Sequence, residues 1–173
     1  MTLWARTLGL MLASAFVGAP SLRSAMAARE PCAAPEYRQF DLWLGRWEVR
    51  TPGGTHAGTN DVTRILGGCV LQEHWSGAKG MHGTSFNIYD AATGRWHQTW
   101  VDDHGTLLTL DGRLENGAMV LRGETKGQDG ATVTQRITWS KLANGRVRQL
   151  WETSRDGGAN WQVAFDGTYM KAR

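Results

Sequence analysis

The sequence predicts an all-β protein: a single antiparallel meander of about ten strands closed into a barrel, with a short N-terminal helix capping one end. Three observations lead to this fold class. Turn residues recur about every eight to twelve positions after Gly45, as in all-β proteins. Between the turns, apolar and polar residues alternate, which is typical of strands with one buried face. A helical period occurs once, near the N-terminus.

The predicted helix occupies residues 35–44. Its apolar residues recur every three or four positions, and Pro35 and Gly45 suit its two ends. These apolar residues are Tyr37, Phe40, Trp43 and Leu44. The predicted strands lie near residues 46–51, 57–66, 69–77, 81–89, 95–102, 105–113, 118–125, 131–140, 146–153 and 161–170.

The strand at 131–140 indicates which face is inside. Its even positions are all polar, whereas its odd positions are mostly apolar and include Gln135 and Trp139. The next strand keeps its apolar face at odd positions only if the loop is the three-residue segment 143–145, with Gly145 in the left-handed region of a type I turn with a G1 bulge. A two-residue loop would turn Arg148 toward the core. The facing of the strand near 81–89 stays open.

A glutamine or glutamate shares a strand face with a tryptophan in four of the predicted strands. This mixture suits the lining of a semi-polar cavity better than a hydrocarbon core. We therefore predict a lumen that binds a small amphipathic molecule, with indoles providing stacking area and polar groups fixing orientation. The predicted ligand-binding residues are Trp47, Arg64, Glu73, Trp75, Trp96, Gln98, Trp100, Gln135, Trp139, Gln149 and Trp151.

The sequence leaves the role of Glu73 open between several alternatives. A two-residue Gly67-Gly68 loop places Arg64 diagonal to Glu73, within reach for neutralising a buried carboxylate. Without such a pair, Glu73 could act as a general base near the barrel mouth, with Asp102 as an acidic partner. A third reading is an envelope scaffold whose core is simply full. No catalytic residue is assigned.

Several site classes are not predicted. His74 and His97 fall on outward faces, His56 and His104 lie in or near turns, and the facing of His82 stays open. HxH and HExxH spacings are absent, so no metal site is expected. No cofactor is expected either. A basic run and a basic amphipathic helix are both lacking, which argues against nucleic acid as a partner. Residues 154–161 match the S-x-D-x-G-x-x-W hairpin of sialidase propellers, but a single copy predicts a structural turn.

The first 27 residues are typical of a cleaved signal peptide. Arg6 precedes a mostly apolar stretch, and Ala25-Met26-Ala27 forms a cleavage site. The apolar stretch is too short to span a bilayer, so no membrane span is expected after cleavage. The leader holds Arg6 and Arg23 and no acid, so its removal lowers the formal net charge from +3 to +1. Residues 28–173 then form one domain, periplasmic or secreted.

Cys32 and Cys69 predict one disulfide, because exported proteins fold in oxidising compartments. C-x-x-C spacing is absent, so a structural role is favoured over redox catalysis. The bond would place Cys69 at the barrel end covered by the helix.

Gly45-Arg46-Trp47 at the start of the first strand resembles the G-x-W motif of lipocalins, where an indole closes one end of the barrel. Residues 40–47 and 67–75 resemble an uncharacterised family of bacterial secreted proteins, and residues 89–102 and 148–169 are similar to the same family. The resemblance implies a calycin-like barrel and export. It implies no particular activity.

Overall fold

Ten antiparallel strands pair in chain order and close into a barrel through the first and last strands. The computed structural model describes residues 30–172, so the predicted leader lies outside the described residues. The strands are β1 (Gly45–Arg50), β2 (His56–Ile65), β3 (Val70–Gly77), β4 (His82–Asp90), β5 (Arg95–Asp102), β6 (Leu107–Glu115), β7 (Ala118–Lys126), β8 (Thr132–Lys141), β9 (Val147–Ser154) and β10 (Gln162–Lys171). The predicted fold class is confirmed.

The predicted N-terminal helix consists of two short 3-10 helices, Pro35–Arg38 and Asp41–Trp43, which we call the cap. Phe40 separates them with φ −100° and ψ 8°, which are not helical values. Runs of 3-10 helix rarely exceed about four residues because their hydrogen-bond geometry is poor, so the segment is broken at this point. As a result, Phe40 and Trp43 both reach full burial over one end of the barrel.

The hairpin after β8 has the predicted register, with Lys141 opposite Val147 and the loop at residues 143–145. The Leu142 N–H donates to the Arg146 carbonyl at 2.8 Å, which closes the loop. Asn144 and Gly145 both have positive φ, 58° and 69°. The loop therefore differs from the predicted type I turn, in which Gly145 alone would be left-handed.

The barrel has two unlike ends. At the capped end, six fully buried aromatic residues fill the lumen and form what we call the aromatic plug. Its members are Phe40, Trp43, Trp47, Trp96, Trp139 and Tyr169. The Trp43 and Trp139 ring centroids are 4.0 Å apart, and the indole N–H of Trp47 donates to the Trp43 carbonyl at 2.8 Å. The opposite end, which we call the open end, carries the turn at 103–106 and the hairpin at 155–161.

The predicted disulfide between Cys32 and Cys69 is confirmed, with Cα atoms 5.1 Å apart. It lies at the capped end, as expected. The Arg38 guanidinium of the cap donates to the carbonyls of Cys32 and Gly68, at 2.7 and 2.8 Å. The hydrogen bond to Gly68 ties the cap directly to the β2–β3 turn, and the disulfide ties the segment just before the cap to the same turn. Among residues 30–172, no helix has the length and apolar character needed to cross a membrane.

Candidate functional site

A cavity of about 270 Å³ occupies the lumen between the middle of the barrel and the open end. Its wall mixes aromatic and aliphatic side chains with a few polar groups. The lining residues are Glu73, Trp75, Met81, Gln98, Trp100, Leu108, Ile137, Gln149, Trp151, Ala164, Phe165 and Tyr169. Tyr169 belongs both to this lining and to the aromatic plug, so the cavity ends at the plug inside the barrel rather than passing through it.

Glu73 is the ionisable group at the floor of this cavity, and only 4% of its surface is exposed. Its strand position lies between Val62 of β2 and Ser85 of β4. Asn60 Nδ2 donates to Glu73 Oε1 at 3.0 Å, and Ser85 Oγ donates to Oε2 at 2.6 Å. Both carboxylate oxygens therefore accept one hydrogen bond from the barrel wall.

A chain of hydrogen bonds extends this arrangement around the wall. Gln98 Nε2 donates to Asn87 Oδ1 at 2.7 Å, and Asn87 Nδ2 donates to Ser85 Oγ at 2.9 Å. Ser85 in turn donates to Glu73, so three successive donors point toward the carboxylate. All members of this chain are buried. The chain holds the carboxyl group in one orientation toward the lumen.

Burial raises the pKa of Glu73 to about 7, although the hydrogen bonds from Ser85 and Asn60 oppose the shift. Desolvation penalises the charged form of a carboxyl group when no cation compensates it. None of the salt bridges among residues 30–172 includes Glu73. Near neutral pH the Glu73 carboxyl group is thus protonated in some molecules and ionised in others.

Two further polar groups adjoin the floor. The Oδ1 atom of Asn60 is buried and has no hydrogen-bond partner, although the same amide donates to Glu73. The Tyr169 hydroxyl donates to Gln149 Oε1 at 2.6 Å. Burial and the nearby charge of Glu73 raise the pKa of Tyr169 well above its ordinary value, so this phenol stays neutral.

The walls toward the open end are aromatic, and their orientation is held by hydrogen bonds. Trp151 Nε1 donates to Gln135 Oε1 at 2.7 Å, and Gln135 Nε2 donates to Thr125 Oγ1 at 2.8 Å. Trp100 Nε1 donates to Asp102 Oδ2 at 3.2 Å. The Trp100 ring lies over Gly83, where any Cβ would collide with it. Fixed rings of this kind line a preformed cavity.

Asp102 lies at the rim of the open end, on the same strand face as Trp100. Burial tends to raise its pKa, but hydrogen bonds from Thr106, Trp100 and the His104 N–H together bring it below the usual value. Its oxygens are held by the 103–106 turn and by Trp100, and no hydrogen bond joins it to Glu73 in the described chain. It is a fixed negative charge at the mouth.

Two other depressions lie on the outer wall. A cleft of about 490 Å³ follows the line where β6 and β7 separate, because their ladder ends at Asp111 and Arg122. It shares Leu108 and Trp151 with the lumen cavity. A wider groove of about 780 Å³ beside Tyr37 and Tyr89 is more open to solvent than the lumen cavity, and none of the ionisable residues that line it is buried. The lumen cavity is the better-formed site.

The sequence matches no protein-family model and no curated protein. The geometry of the barrel is therefore the basis for any functional conclusion.

Six of the eleven predicted ligand-binding residues line the cavity: Glu73, Trp75, Gln98, Trp100, Gln149 and Trp151. Three others, Trp47, Trp96 and Trp139, belong to the aromatic plug. Gln135 lies behind Trp151 and orients it. These three tryptophans share the inward face of their strands, but they do not line the cavity, because they lie near the capped end.

Arg64 does not neutralise Glu73, contrary to the expected ion pair. The predicted register is correct, since Arg64 lies opposite Leu71 and Val62 lies opposite Glu73. However, Arg64 lies near the end of β2, and its side chain reaches Asp41 of the cap instead. The carboxylate is left with neutral hydrogen-bond donors.

Sequence reasoning missed the residues that complete the site. Ser85 and Asn87 belong to β4, whose facing the sequence left open. Asn60 and Tyr169 were not singled out, and Phe165 follows a bulge at Ala164 that shifts the register of β10. A run of small polar residues at alternate positions of β4 was the available signal. Residues 30–172 hold no group of three or more potential metal ligands.

Proposed function

We propose that this protein is an exported small-molecule-binding barrel that takes its ligand through the open end into the lumen cavity. The observation that carries the proposal is a preformed cavity with an ionisable floor at Glu73 and hydrogen-bonded aromatic walls. Ligand sites are typically concave and mostly apolar, with a few convergent polar groups. The ligand would lie between the Trp75, Trp100 and Trp151 rings, with its polar end on Glu73.

Three further features support binding over a scaffold role. The aromatic plug and the cap fill one end of the barrel, whereas the other half holds about 270 Å³ of space. A scaffold gains stability from a full core and has no need of a buried carboxylate. Export is supported by the leader-like residues 1–27 and by the disulfide, which suits an oxidising compartment. The resemblance to an uncharacterised bacterial secreted family points the same way.

The binding proposal is tested by blocking the cavity from its rim. Ala164 lines the cavity at the bulge of β10, so Ala164→Phe would place a ring in the ligand's position. Its neighbour Val163 is 63% exposed and does not line the cavity, which makes Val163→Phe a matched control. We expect metabolite extracts to change the tryptophan fluorescence of the parent protein and of Val163→Phe, but not of Ala164→Phe.

The two possible failures of this test differ. A response that Ala164→Phe retains at full size would place binding outside the lumen. No response from the parent protein to extracts of any polarity would remove the proposal. Melting curves of both variants confirm that each remains folded before the titrations are compared.

One observation favours a second candidate, in which Glu73 acts as a general base. A carboxyl group with a pKa of about 7 inside a cavity is suited to proton transfer at neutral pH. Among residues 30–172 no hydrogen bond joins Asp102 to Glu73, so the base would act without the acidic partner suggested by the sequence. Consumption of an extract component, followed by NMR, would stop in Glu73→Gln while binding persisted. A bound but unchanged component would instead favour the binding protein.

A further inference from the structure

We infer that the ligand is a small organic cation, a primary ammonium group on an apolar or aromatic body, with the ammonium bound to the Glu73 carboxylate. This inference rests on the proposed binding function and names the chemistry of its ligand. Four features of the cavity carry it: an anion without a cation, surplus hydrogen-bond acceptors, aromatic walls and limited volume.

The negative charge of the Glu73 carboxylate has no cationic partner among the described residues. The side chains that face it from β2, β4, β5, β9 and β10 are all uncharged: Asn60, Val62, Ser85, Gln98, Gln149 and Tyr169. Two cations at the capped end have other partners: Arg64 pairs with Asp41, and Lys171 donates to the Leu44 carbonyl. A buried carboxylate is costly unless a cation pairs with it. A bound ammonium would supply the missing charge.

Hydrogen-bond donors are also too few for the acceptors at the cavity floor. Each Glu73 oxygen accepts one bond from the wall, and a carboxylate oxygen can accept about two. Asn60 Oδ1, on the amide that already touches Glu73, has no donor at all. An ammonium group brings three donors and no acceptor. A hydroxyl would bring only one donor and a carbonyl none, and each would add an acceptor to a floor that already has a surplus.

Aromatic rings complete the environment of a cation. Trp75, Trp100, Trp151 and Phe165 line the cavity between Glu73 and the open end. The face of an indole ring attracts a cation, and such contacts strengthen where water is excluded. Asp102 adds a fixed negative charge at the mouth, which favours the approach of cations over anions.

The volume limits the size of the ligand. The volume of about 270 Å³ lies just below the roughly 300–1,000 Å³ of typical ligand pockets, so the cavity suits a small ligand. A phenyl ring with a two-carbon aminoalkyl chain is a ligand of this kind. Larger bodies would have to extend beyond the rim at Ala164.

Binding of a cation should depend on pH in a defined way. Among the cavity-lining residues, Glu73 and Tyr169 are the ionisable ones, and Tyr169 stays neutral. Glu73 must lose its proton before it pairs with an ammonium. The dissociation constant should therefore rise about tenfold for each pH unit below about 7, since one proton is released on binding. Affinity should fall again near pH 10, where an alkylammonium itself deprotonates.

The test compares three probes of matched shape: 2-phenylethylamine, 2-phenylethanol and phenylacetate. Calorimetric titrations of the whole protein at pH 8 should show 2-phenylethylamine binding at least about tenfold more tightly than either of the others. Repeating the amine titration from pH 5 to 8 should give the predicted slope. Glu73→Gln should lose both the preference and the slope, whereas Glu124→Gln, an exposed residue on β7, should keep them.

Each outcome is decisive. Equal or tighter binding of the alcohol or the acid would overturn the cation and leave the binding proposal standing. A second contrary result is that none of the three probes binds while an extract still changes the fluorescence of the parent protein but not of Ala164→Phe. That result would also overturn the cation and leave the binding proposal standing. If Glu73→Gln does not fold, a pH-independent amine affinity in the parent protein would overturn the inference on its own.

Discussion

Glu73 is a buried carboxyl group whose ionisation lowers the stability of the barrel. Its carboxyl group is held by Asn60 and Ser85 in a buried wall, and burial outweighs these bonds and raises its pKa to about 7. A carboxyl group whose pKa is raised on folding binds its proton more tightly in the folded state. Its contribution to stability is therefore fully present below about pH 4.5 and is lost as the pH rises to about 7.

This linkage predicts how Glu73→Gln changes the pH dependence of unfolding. The rise in pKa from 4.5 to about 7 corresponds to about 3 kcal/mol lost from the parent protein between pH 4.5 and pH 8. Glutamine resembles the protonated acid and does not titrate. We expect urea unfolding at pH 5 and pH 8 to show a smaller loss of free energy in the variant than in the parent.

Glu124→Gln is the control, because this exposed carboxylate lies outside the cavity. The aspartates with lowered pKa values, such as Asp156 and Asp166, lose their contributions only in more acidic solution. Their contributions to the free energy of unfolding therefore stay constant between pH 5 and pH 8. Equal losses in the parent and in Glu73→Gln would show that Glu73 does not titrate abnormally.

At the scale of elements, the short loop at residues 143–145 sets the face of β9. Odd positions pair with odd across this hairpin, so Gln149 faces the lumen and Arg148 faces outward, where it binds Asp166. A loop one residue shorter would reverse both side chains. The cavity wall depends on the loop length because every inward residue of β9 follows from it.

Substitution of Gly145 is predicted to disturb this loop and to destabilise the protein. Its φ is 69°, and nothing lies within 4 Å of an added Cβ, so Gly145→Ala tests backbone strain alone. We expect a loss of about 1–2 kcal/mol in the free energy of unfolding, measured with urea. Gly53→Ala is the matched control, since that glycine also faces open space but lacks positive φ. Equal effects of both substitutions would argue against the left-handed turn.

For the whole molecule, the disulfide and the aromatic plug make the two ends of the barrel unequal. The Cys32–Cys69 bond closes a loop of 37 residues in sequence and holds the cap over the plug. A cross-link of this length stabilises a protein by about 3–4 kcal/mol in the chain-entropy model. The bond therefore stabilises the folded barrel as a whole by restricting the unfolded chain.

Reduction should lower the melting temperature by about 10 °C, as calculated from that stabilisation for a domain of this size. Calorimetric melts with and without a reductant measure the effect. A variant with both Cys32→Ser and Cys69→Ser should melt at the reduced temperature and should not respond to reductant. A melting temperature indifferent to reductant in the parent protein would show that the bond contributes nothing to stability.

Much of the fold followed from local patterns along the chain. Alternation between turns predicted the ten-strand meander, and burial on β8 predicted the register of the 143–145 hairpin. These features are local, because strand faces alternate with a period of two and turns need particular residues. The β4 face was not predictable, since Ser85 and Asn87 point inward while Phe86 and Ile88 point out.

The sequence by itself determined that the barrel has an inward face carrying tryptophan, glutamine and Glu73, and that Cys32 and Cys69 are joined. The tertiary structure alone decided which of these residues share a space. Trp47, Trp96 and Trp139 pack with the cap, whereas Trp75, Trp100 and Trp151 surround the cavity. Arg64 binds Asp41, so Glu73 has no cation. Distance along the barrel axis separates these groups, and that distance depends on strand stagger and closure, which no alternation pattern encodes.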